Sequence, residues 1–496
     1  MEQRTKVLQS NTVKVAVLAG SRLANSLVGL AFAIVLARIF TKEDYGTYRQ
    51  TLLVFLTISP LFVLGFPQTL LYFLSKNQVA RKNTLASNLV IVGILGLIAM
   101  VLIATLGRAY IPSLFNNPAL EKTLYVLGPY AFFMLILTSF SPCMLAYGRI
   151  LTAGVFELSS KVLMLCMGLI GAMVLGTPAA VVGGSAVAMG IAVVVALWLM
   201  FRYSPTGRIR IQKSMIKMQV LYALPVAGAV IFDRLNLDMD KIVVSVVADD
   251  IEQYAIYVNG AIEIPIVGAI AYATTGVLIP ALTKLHDAGD FRKAGKLWAS
   301  SSQKCFAILF PMAIFCLIMA EEIMTVLFSE EYAESKVPFR WYVLILPMRA
   351  FNFGAGFLSL GLGRLLVKRA MIGLILNIIM TYMMVNAMGP VGAAISTVII
   401  FYFWLSPYSF LVLSKYWKHS LSELLVFKRL LTIGLCGLGA GTVFLLVPVF
   451  DEFPTFVRLC IFGSLYGVVL ATLYYYTGLI KFLGPNQLLT SLKIKS

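Results

Sequence analysis

Five ionisable residues fall within nine consecutive positions of an otherwise apolar segment: Asp233, Arg234, Asp238, Asp240 and Lys241. In a helix, Arg234, Asp238 and Lys241 share one stripe, and Arg234 and Asp238 have the i, i+4 spacing of an ion pair. Asp233 and Asp240 lie on the neighbouring stripe. Because a guanidinium matches the geometry of a phosphate, this face has the chemistry to hold a phosphorylated ligand.

A second polar stripe lies near the start of the chain. Arg22, Asn25, Ser26 and Gly29 follow the i, i+3, i+4, i+7 spacing of one helix face, and aliphatic residues occupy the rest of that helix. Two more charges, Glu263 and Arg349, lie near the ends of other apolar segments. An ionisable group inside a membrane is costly, so its default position is a wet cavity.

These stripes give the following hypothesis for the site. The residues predicted to bind an anionic group such as a diphosphate are Arg22, Asn25, Arg234, Lys241 and Arg349. The residues predicted to pair with these cations between cycles, or to carry coupling H⁺ or Na⁺, are Asp233, Asp238, Asp240 and Glu263. Two simpler interpretations stay open: the charges are structural ion pairs, or Asp240 and Lys241 extend to the outer membrane surface.

Composition places these stripes in a membrane. The chain is 60% hydrophobic and only 12% charged, against about 25% charged residues in soluble domains. Its net charge of +18 does not indicate nucleic-acid binding, because the cationic residues are concentrated in short loops. No cofactor and no metal site is predicted, and no Walker loop occurs that would bind ATP.

The apolar runs predict an all-α polytopic membrane protein with about fourteen transmembrane helices. Lys and Arg are concentrated in the alternate loops that include both termini, which predicts a multi-pass protein of the cell (inner or plasma) membrane with both termini in the cytoplasm. The predicted spans are 13–40, 51–74, 84–107, 123–147, 150–175, 179–201, 218–246, 253–283, 298–320, 339–362, 367–387, 390–414, 425–447 and 455–480.

Short motifs recur at an offset of about 210 residues. Tyr45-Gly-Thr-Tyr48 recurs as Tyr254-Ala-Ile-Tyr257, and Val182-Gly-Gly184 recurs as Val391-Gly-Ala393. The offset predicts two parallel six-helix lobes, which is typical of transporters that bind substrate between their halves. The predicted divisions are an N-lobe (1–201), a basic cytoplasmic linker (202–217), a C-lobe (218–415), and helices 13–14 with the C-terminus (416–496). The linker either fixes the orientation of the protein in the membrane through its positive charges or binds anionic headgroups.

Several of these motifs resemble the polysaccharide flippases of the multidrug/oligosaccharidyl-lipid/polysaccharide exporter superfamily. They are Ala37 to Tyr48, Leu64 to Lys76, Val277 to Lys284 with Ala288 to Asp290, and Gly392 to Ala394. The resemblance covers roughly residues 10 to 415. It implies that an undecaprenyl-diphosphate-linked oligosaccharide is flipped to the outer leaflet for O-antigen, capsule or exopolysaccharide assembly. The expected partners are this substrate, the bilayer, a coupling ion and the polysaccharide polymerase machinery.

Three other classes stay open. Lipid II flippases share the topology, but they typically place an acidic residue near the arginine of helix 1, where Asn25 stands here. Multidrug–cation antiporters usually have twelve helices and an acidic cavity. A membrane-embedded polysaccharide polymerase would need a large outer loop, and the longest one here, around Glu321 to Arg340, has about 20 residues. We therefore expect a transporter that is not an enzyme.

Overall fold

The fold is helical throughout the part of the chain that the structure, a computed structural model, describes. That part comprises residues 11–76, 81–204, 209–248, 250–450 and 452–484, and it contains no β-strand. The predicted linker residues Pro205 and Gly207 lie outside it, as do the ends of the two terminal segments. The all-α membrane class is confirmed.

The first eleven helices are separated by short turns. They are α1 (Asn11–Ile39), α2 (Lys42–Val63), α3 (Phe66–Lys76), α4 (Arg81–Leu102), α5 (Arg108–Leu114), α6 (Leu120–Leu137), α7 (Phe140–Ala146), α8 (Ile150–Leu175), α9 (Pro178–Tyr203), α10 (Lys213–Val247) and α11 (Ile251–Gly260). A π-helical turn, Ile103–Gly107, joins α4 to α5.

The remaining helices are also connected by short segments. They are α12 (Pro265–Asp287), α13 (Phe291–Ile318), α14 (Ala320–Phe328), α15 (Lys336–Val343), α16 (Leu346–Arg349), α17 (Phe353–Ser359), α18 (Gly363–Met388), α19 (Val391–Ile400), α20 (Ser406–Trp417), α21 (Leu421–Leu425), α22 (Phe427–Ala440), α23 (Thr455–Tyr476) and α24 (Leu479–Leu483). A 3₁₀ segment, Glu330–Ser335, precedes α15, a π-helical turn, Phe401–Leu405, joins α19 to α20, and a second 3₁₀ segment, Gly441–Phe450, follows α22.

Left-handed glycines occur at matching turns of the two halves. Gly148 (φ 73°) precedes α8 and Gly361 (φ 68°) precedes α18, while Gly176 (φ 62°) ends α8 and Gly389 (φ 70°) ends α18. Each pair is separated by 213 residues. Residues other than glycine are strained at these φ values. A glycine with positive φ therefore precedes and follows each of the two equivalent helices. The matching turns agree with the predicted internal repeat.

The number of spans is smaller than predicted when each helix is judged alone. Ten helices among the described residues are long and apolar enough to cross a membrane, and the pair α2 and α3, bent by 40°, makes an eleventh if counted as one span. The predicted count of fourteen is therefore not confirmed. The predicted span 253–283 is divided into α11 and α12 by a break beside Glu263, with Pro265 at the first turn of α12.

The chain forms two compact units, Met1–Ala255 and Ile256–Ser496. Helix α10, predicted to open the C-lobe, belongs to the first unit. Buried side chains hold it at both ends: Asn88 Nδ2 donates to Gln219 Oε1 (3.0 Å), Gln219 Nε2 donates to the carbonyl of Thr84 (3.1 Å), and Gln50 Nε2 donates to Ser245 Oγ (2.9 Å). The predicted lobe boundaries stay a prediction, because a compact unit need not be the body that moves during transport.

In the second unit, the two C-terminal spans pack against α13. Tyr466 Oη donates to the carbonyl of Pro311 (2.9 Å), and Tyr474 Oη donates to that of Ala307 (2.7 Å). Apolar contacts between Ile314, Phe444 and Phe462 fill the space beside these bonds. Helices α22 and α23 are thus integral to the second unit although they lie outside the predicted repeat.

Candidate substrate-binding site

Helix α10 carries a compact network of charges. Arg234 Nη2 lies 2.5 Å from Asp238 Oδ2, and Lys241 Nζ lies 3.5 Å from Asp238 Oδ1 and 4.0 Å from Asp240 Oδ1. The two carboxylates are almost fully buried, at 8% and 2% side-chain exposure. The predicted i, i+4 pair between Arg234 and Asp238 is therefore present.

This network changes the interpretation of the predicted cations. Arg234 and Lys241 both pair with Asp238, and Lys241 also lies 4.0 Å from Asp240 Oδ1, so their placement supports the simpler hypothesis of structural ion pairs. Asp240 is buried among protein side chains. The side chain of Asp233, which was predicted to pair with the same arginines, lies outside the part of the chain that the structure describes.

A third cation, Arg49, lies within the first unit and was not predicted. Its Nη1 donates to Tyr45 Oη (2.8 Å), and Tyr254 is buried nearby. The tyrosines come from Tyr45-Gly-Thr-Tyr48 and Tyr254-Ala-Ile-Tyr257, which the sequence analysis matched as repeated motifs. Gly46 allows the close approach, because a Cβ there would lie 2.8 Å from the carbonyl oxygen of Ile251.

The first unit also contains a largely apolar cavity of about 240 Å³ between helical segments, with several polar side chains in its lining. Asn25 of α1 lines it, together with Glu157 and Lys161 of α8. The Oδ1 atom of Asn25 is buried and accepts no hydrogen bond from any described residue. The Lys161 side chain crosses α1 at Gly29, where a Cβ would lie 3.9 Å from Lys161 Cε. The stripe predicted on helix 1 therefore faces this lysine at Asn25 and Gly29.

Within the described part of the chain, neither Glu157 nor Lys161 makes an ion pair. Sequence reasoning missed both residues, although they lie inside a predicted span, 150–175. Their signal was visible: opposite charges four residues apart within a run of apolar residues. The side chain of Arg22, one turn before Asn25, lies outside the described residues.

The two predicted residues of the second unit are brought together. Arg349 Nη1 donates to Glu263 Oε1, and both line a cavity of only about 20 Å³. Their side-chain exposures are 26% and 62%. This pair therefore agrees with the predicted pairing role of Glu263, while the cavity beside it has room for no more than a water molecule.

Histidines and cysteines do not form a metal centre in the part of the chain described here. His286 was predicted to lie in a loop, but it is the penultimate residue of α12, where its Nε2 accepts from Trp417 Nε1 (2.9 Å). His419 lies in a loop as predicted, and it contacts Glu423 and the carbonyl of Arg292. Both rings thus have structural partners.

Comparison with solved structures places the fold. The chain is similar to a lipid II flippase MurJ in an inward closed conformation (TM-score 0.71, 14% identity, 94% of this chain and 99% of that chain). It is also similar to an inward-facing multidrug resistance MATE family transporter of the MOP superfamily (0.64, 15%, 81% and 99%) and to a MOP superfamily transporter from Pyrococcus furiosus (0.59, 13%, 83% and 97%). At these identities the likeness shows the fold alone.

No curated protein matches the sequence significantly. Residues 35–337, more than half of the chain, match the family described as "Polysaccharide biosynthesis protein". This match covers Glu157 and Lys161 of α8 and the charge network of α10, whereas Asn25 and the repeated motif at Val391 lie outside it. The predicted resemblance is confirmed: the chain belongs to the polysaccharide biosynthesis protein family and has the fold of the MOP superfamily.

Proposed function

We propose that the protein transports an undecaprenyl-diphosphate-linked oligosaccharide from the cytoplasmic to the outer leaflet by alternating access, for surface polysaccharide assembly. The family match supplies the connection to polysaccharide synthesis. The fold supports transport, because MurJ and the MATE proteins are described as a flippase and transporters. The bilayer and the lipid-linked substrate are its immediate partners.

The observation that carries the proposal is the cavity of the first unit. A span that exists only to anchor a protein has no reason to hold a half-buried carboxylate and a half-buried ammonium without ion-pair partners, since each costs free energy in a low-dielectric environment. Glu157 and Lys161 have no such partner among the described residues, yet they line a cavity with Asn25. Such groups are expected where a polar ligand passes.

The diphosphate requires cations of its own. We assign the diphosphate to Arg22 and Arg234, because one guanidinium group can donate two parallel hydrogen bonds to the oxygens of a phosphate. Arg234 is held by Asp238 in this structure. A phosphate would therefore compete with Asp238 for Arg234, and the released carboxylate would then be free to take up a proton or a cation.

The first experiment is deletion of the gene in its host, followed by extraction of lipid-linked oligosaccharides and surface polysaccharide. Loss of surface polymer with undecaprenyl-linked repeat units accumulating inside, restored by the wild-type gene, is the expected result. Accumulating lipid II with arrested wall synthesis would instead identify a lipid II flippase. Intact polymer with new sensitivity to cationic drugs would identify an antiporter.

The phosphate assignment has a separate test. Arg22→Ala and Arg234→Ala should each fail to restore surface polymer in the deletion strain while reaching wild-type abundance in the membrane. Arg340→Ala is the matched control, because Arg340 donates to the carbonyl of Leu317 in an exposed position. Full restoration by both Arg22→Ala and Arg234→Ala would exclude the diphosphate assignment.

A further inference from the structure

We propose that the cavity of the first unit binds one sugar residue of the transported oligosaccharide through Glu157, Asn25 and Lys161, and that the diphosphate is held elsewhere. This inference rests on the proposed function and assigns the glycan to a specific site. Glu157 and Asn25 accept hydrogen bonds from sugar hydroxyls, and Lys161 donates to a sugar oxygen.

The cavity lining is largely apolar, and most of the polar groups within it are hydrogen-bond acceptors. Asn25 Oδ1 is buried without a donor, and the Glu157 carboxylate makes no ion pair with the residues described. Thr138 and Ser160 donate their hydroxyl protons to backbone carbonyls of Leu135 and Glu157, so their oxygens face the cavity as further acceptors. A ligand rich in O–H donors satisfies this set, and a sugar ring is such a ligand.

The charges of the cavity disfavour a diphosphate. Lys161 is the only cation among the described side chains that line it, and Glu157 precedes it by one helical turn. A group with more than one negative charge would meet repulsion from Glu157 that a single ammonium does not offset. A sugar meets no such penalty, because the carboxylate and the ammonium then bind different edges of a neutral ring.

The size and walls of the cavity agree with one sugar residue. Its volume of about 240 Å³ is below the roughly 300–1,000 Å³ of pockets that hold drug-sized ligands. A whole repeat unit therefore does not fit. Phe140 and Phe156, with ring centroids 4.0 Å apart, form an apolar wall on which the C–H face of a sugar can pack.

The test uses purified full-length protein and the phosphate-free oligosaccharide released by mild acid from the host's lipid-linked pool. Binding is measured by calorimetry for the wild type and for Glu157→Gln and Lys161→Met. The expected result is binding by the wild type that weakens by at least about tenfold in each variant, since hydrogen bonds to charged groups are among the stronger ones. Inorganic pyrophosphate should not displace the oligosaccharide.

Two neighbouring residues outside the cavity provide matched controls. Glu121→Gln and Lys122→Met make the same chemical changes at exposed positions of α6, and both should bind the oligosaccharide like the wild type. If the cavity variants do not fold, Ser141→Cys gives a second measurement, because Ser141 lines the cavity. The oligosaccharide should slow labelling of this cysteine by a maleimide several-fold.

The outcomes separate the site from the proposed function. Wild-type affinity in both cavity variants, or displacement by pyrophosphate, would overturn the sugar site while leaving flippase activity standing. No binding of the oligosaccharide and no protection of the Ser141→Cys thiol would also overturn it. Failure of the proposed function has a different signature, namely a deletion strain in which no undecaprenyl-linked repeat unit accumulates.

Discussion

Lys161 of α8 crosses Gly29 of α1 so closely that a Cβ at Gly29 would stand 3.9 Å from Lys161 Cε. That distance is an ordinary van der Waals contact, so Gly29→Ala should leave the lysine in place. In Gly29→Leu the side chain extends two carbon atoms beyond Cβ, and it should push the Lys161 ammonium out of the cavity. We expect surface polymer in the complemented deletion strain to be unchanged by the alanine and reduced several-fold by the leucine.

Gly20→Leu on the same helix is the control for this pair, because no atom of the described side chains lies within 4 Å of a Cβ at Gly20. It should behave like the wild type. If Gly20→Leu and Gly29→Leu reduced the surface polymer equally, the cause would be a general disturbance of α1 and not the displacement of Lys161.

Asp238 is the shared partner of two cations, so its loss should be costly. Asp238→Asn leaves Arg234 and Lys241 without this counter-ion; breaking a fully buried pair costs about 3–5 kcal/mol. Because Arg234 is 30% exposed, we expect a loss at or below the lower end of that range. Thermal unfolding in detergent, followed by size-exclusion chromatography, measures the change.

The control for Asp238 is an exposed pair of similar spacing. Lys293 Nζ lies 2.7 Å from Asp290 Oδ2, with side-chain exposures of 71% and 44%. Asp290→Asn should therefore hardly change the unfolding temperature, since exposed pairs contribute about 0–1 kcal/mol. A larger shift for Asp290→Asn than for Asp238→Asn would contradict the structural role of the α10 network.

Two adjacent glycines of α9 should respond differently to the same substitution. A Cβ at Gly184 would lie 2.2 Å from the carbonyl oxygen of Met167, whereas one at Gly183 would lie 3.6 Å from Val126 Cγ1. Both changes to alanine favour the helix intrinsically, by about 1 kcal/mol. Gly184→Ala must also separate α8 from α9, at a typical cost of about 1–3 kcal/mol.

We therefore expect a lower unfolding temperature for Gly184→Ala and an equal or higher one for Gly183→Ala. The second unit offers a replicate, because a Cβ at Gly392 would lie 2.2 Å from the carbonyl oxygen of Met384. Unchanged stability in both Gly184→Ala and Gly392→Ala would contradict the close helix contacts at these two positions.

The predicted orientation is testable with reporter fusions. A fluorescent protein fused after Ser496 should fluoresce, because the distribution of Lys and Arg places both termini in the cytoplasm. Alkaline phosphatase fused after Glu331 should be active, since this residue lies in the longest predicted outer loop. Activity of the phosphatase at Ser496 and fluorescence at Glu331 would reverse the orientation.

Much of the architecture was predictable because membrane helices can be recognised in a sequence by the length and composition of their apolar segments. The Arg234–Asp238 pair followed from helical spacing alone, and Asn25 of the polar stripe on helix 1 lines a cavity. In both cases the periodicity of one helix determines which residues share a face. The turn glycines Gly148 and Gly361 likewise reflect a local backbone requirement.

What escaped prediction depends on contacts between helices. Glu157 and Lys161 can pair with one another at their spacing, so only the packing of α8 against α1 reveals that they line a cavity instead. The membership of α10 in the first unit depends on distant partners such as Asn88 and Gln50. The spacing of residues along the sequence does not predict which distant residues become those partners.

The attachment of α10 to earlier helices bears on how the chain enters the bilayer. Five charges between Asp233 and Lys241 make this segment a poor candidate for independent insertion, since each charged residue at a helix centre costs roughly 2.5–3.5 kcal/mol. Thr84, Asn88 and Gln50 are synthesised first and offer it hydrogen bonds inside the membrane. We therefore expect the helices before α10 to assist its insertion, because they are made first and supply these hydrogen bonds.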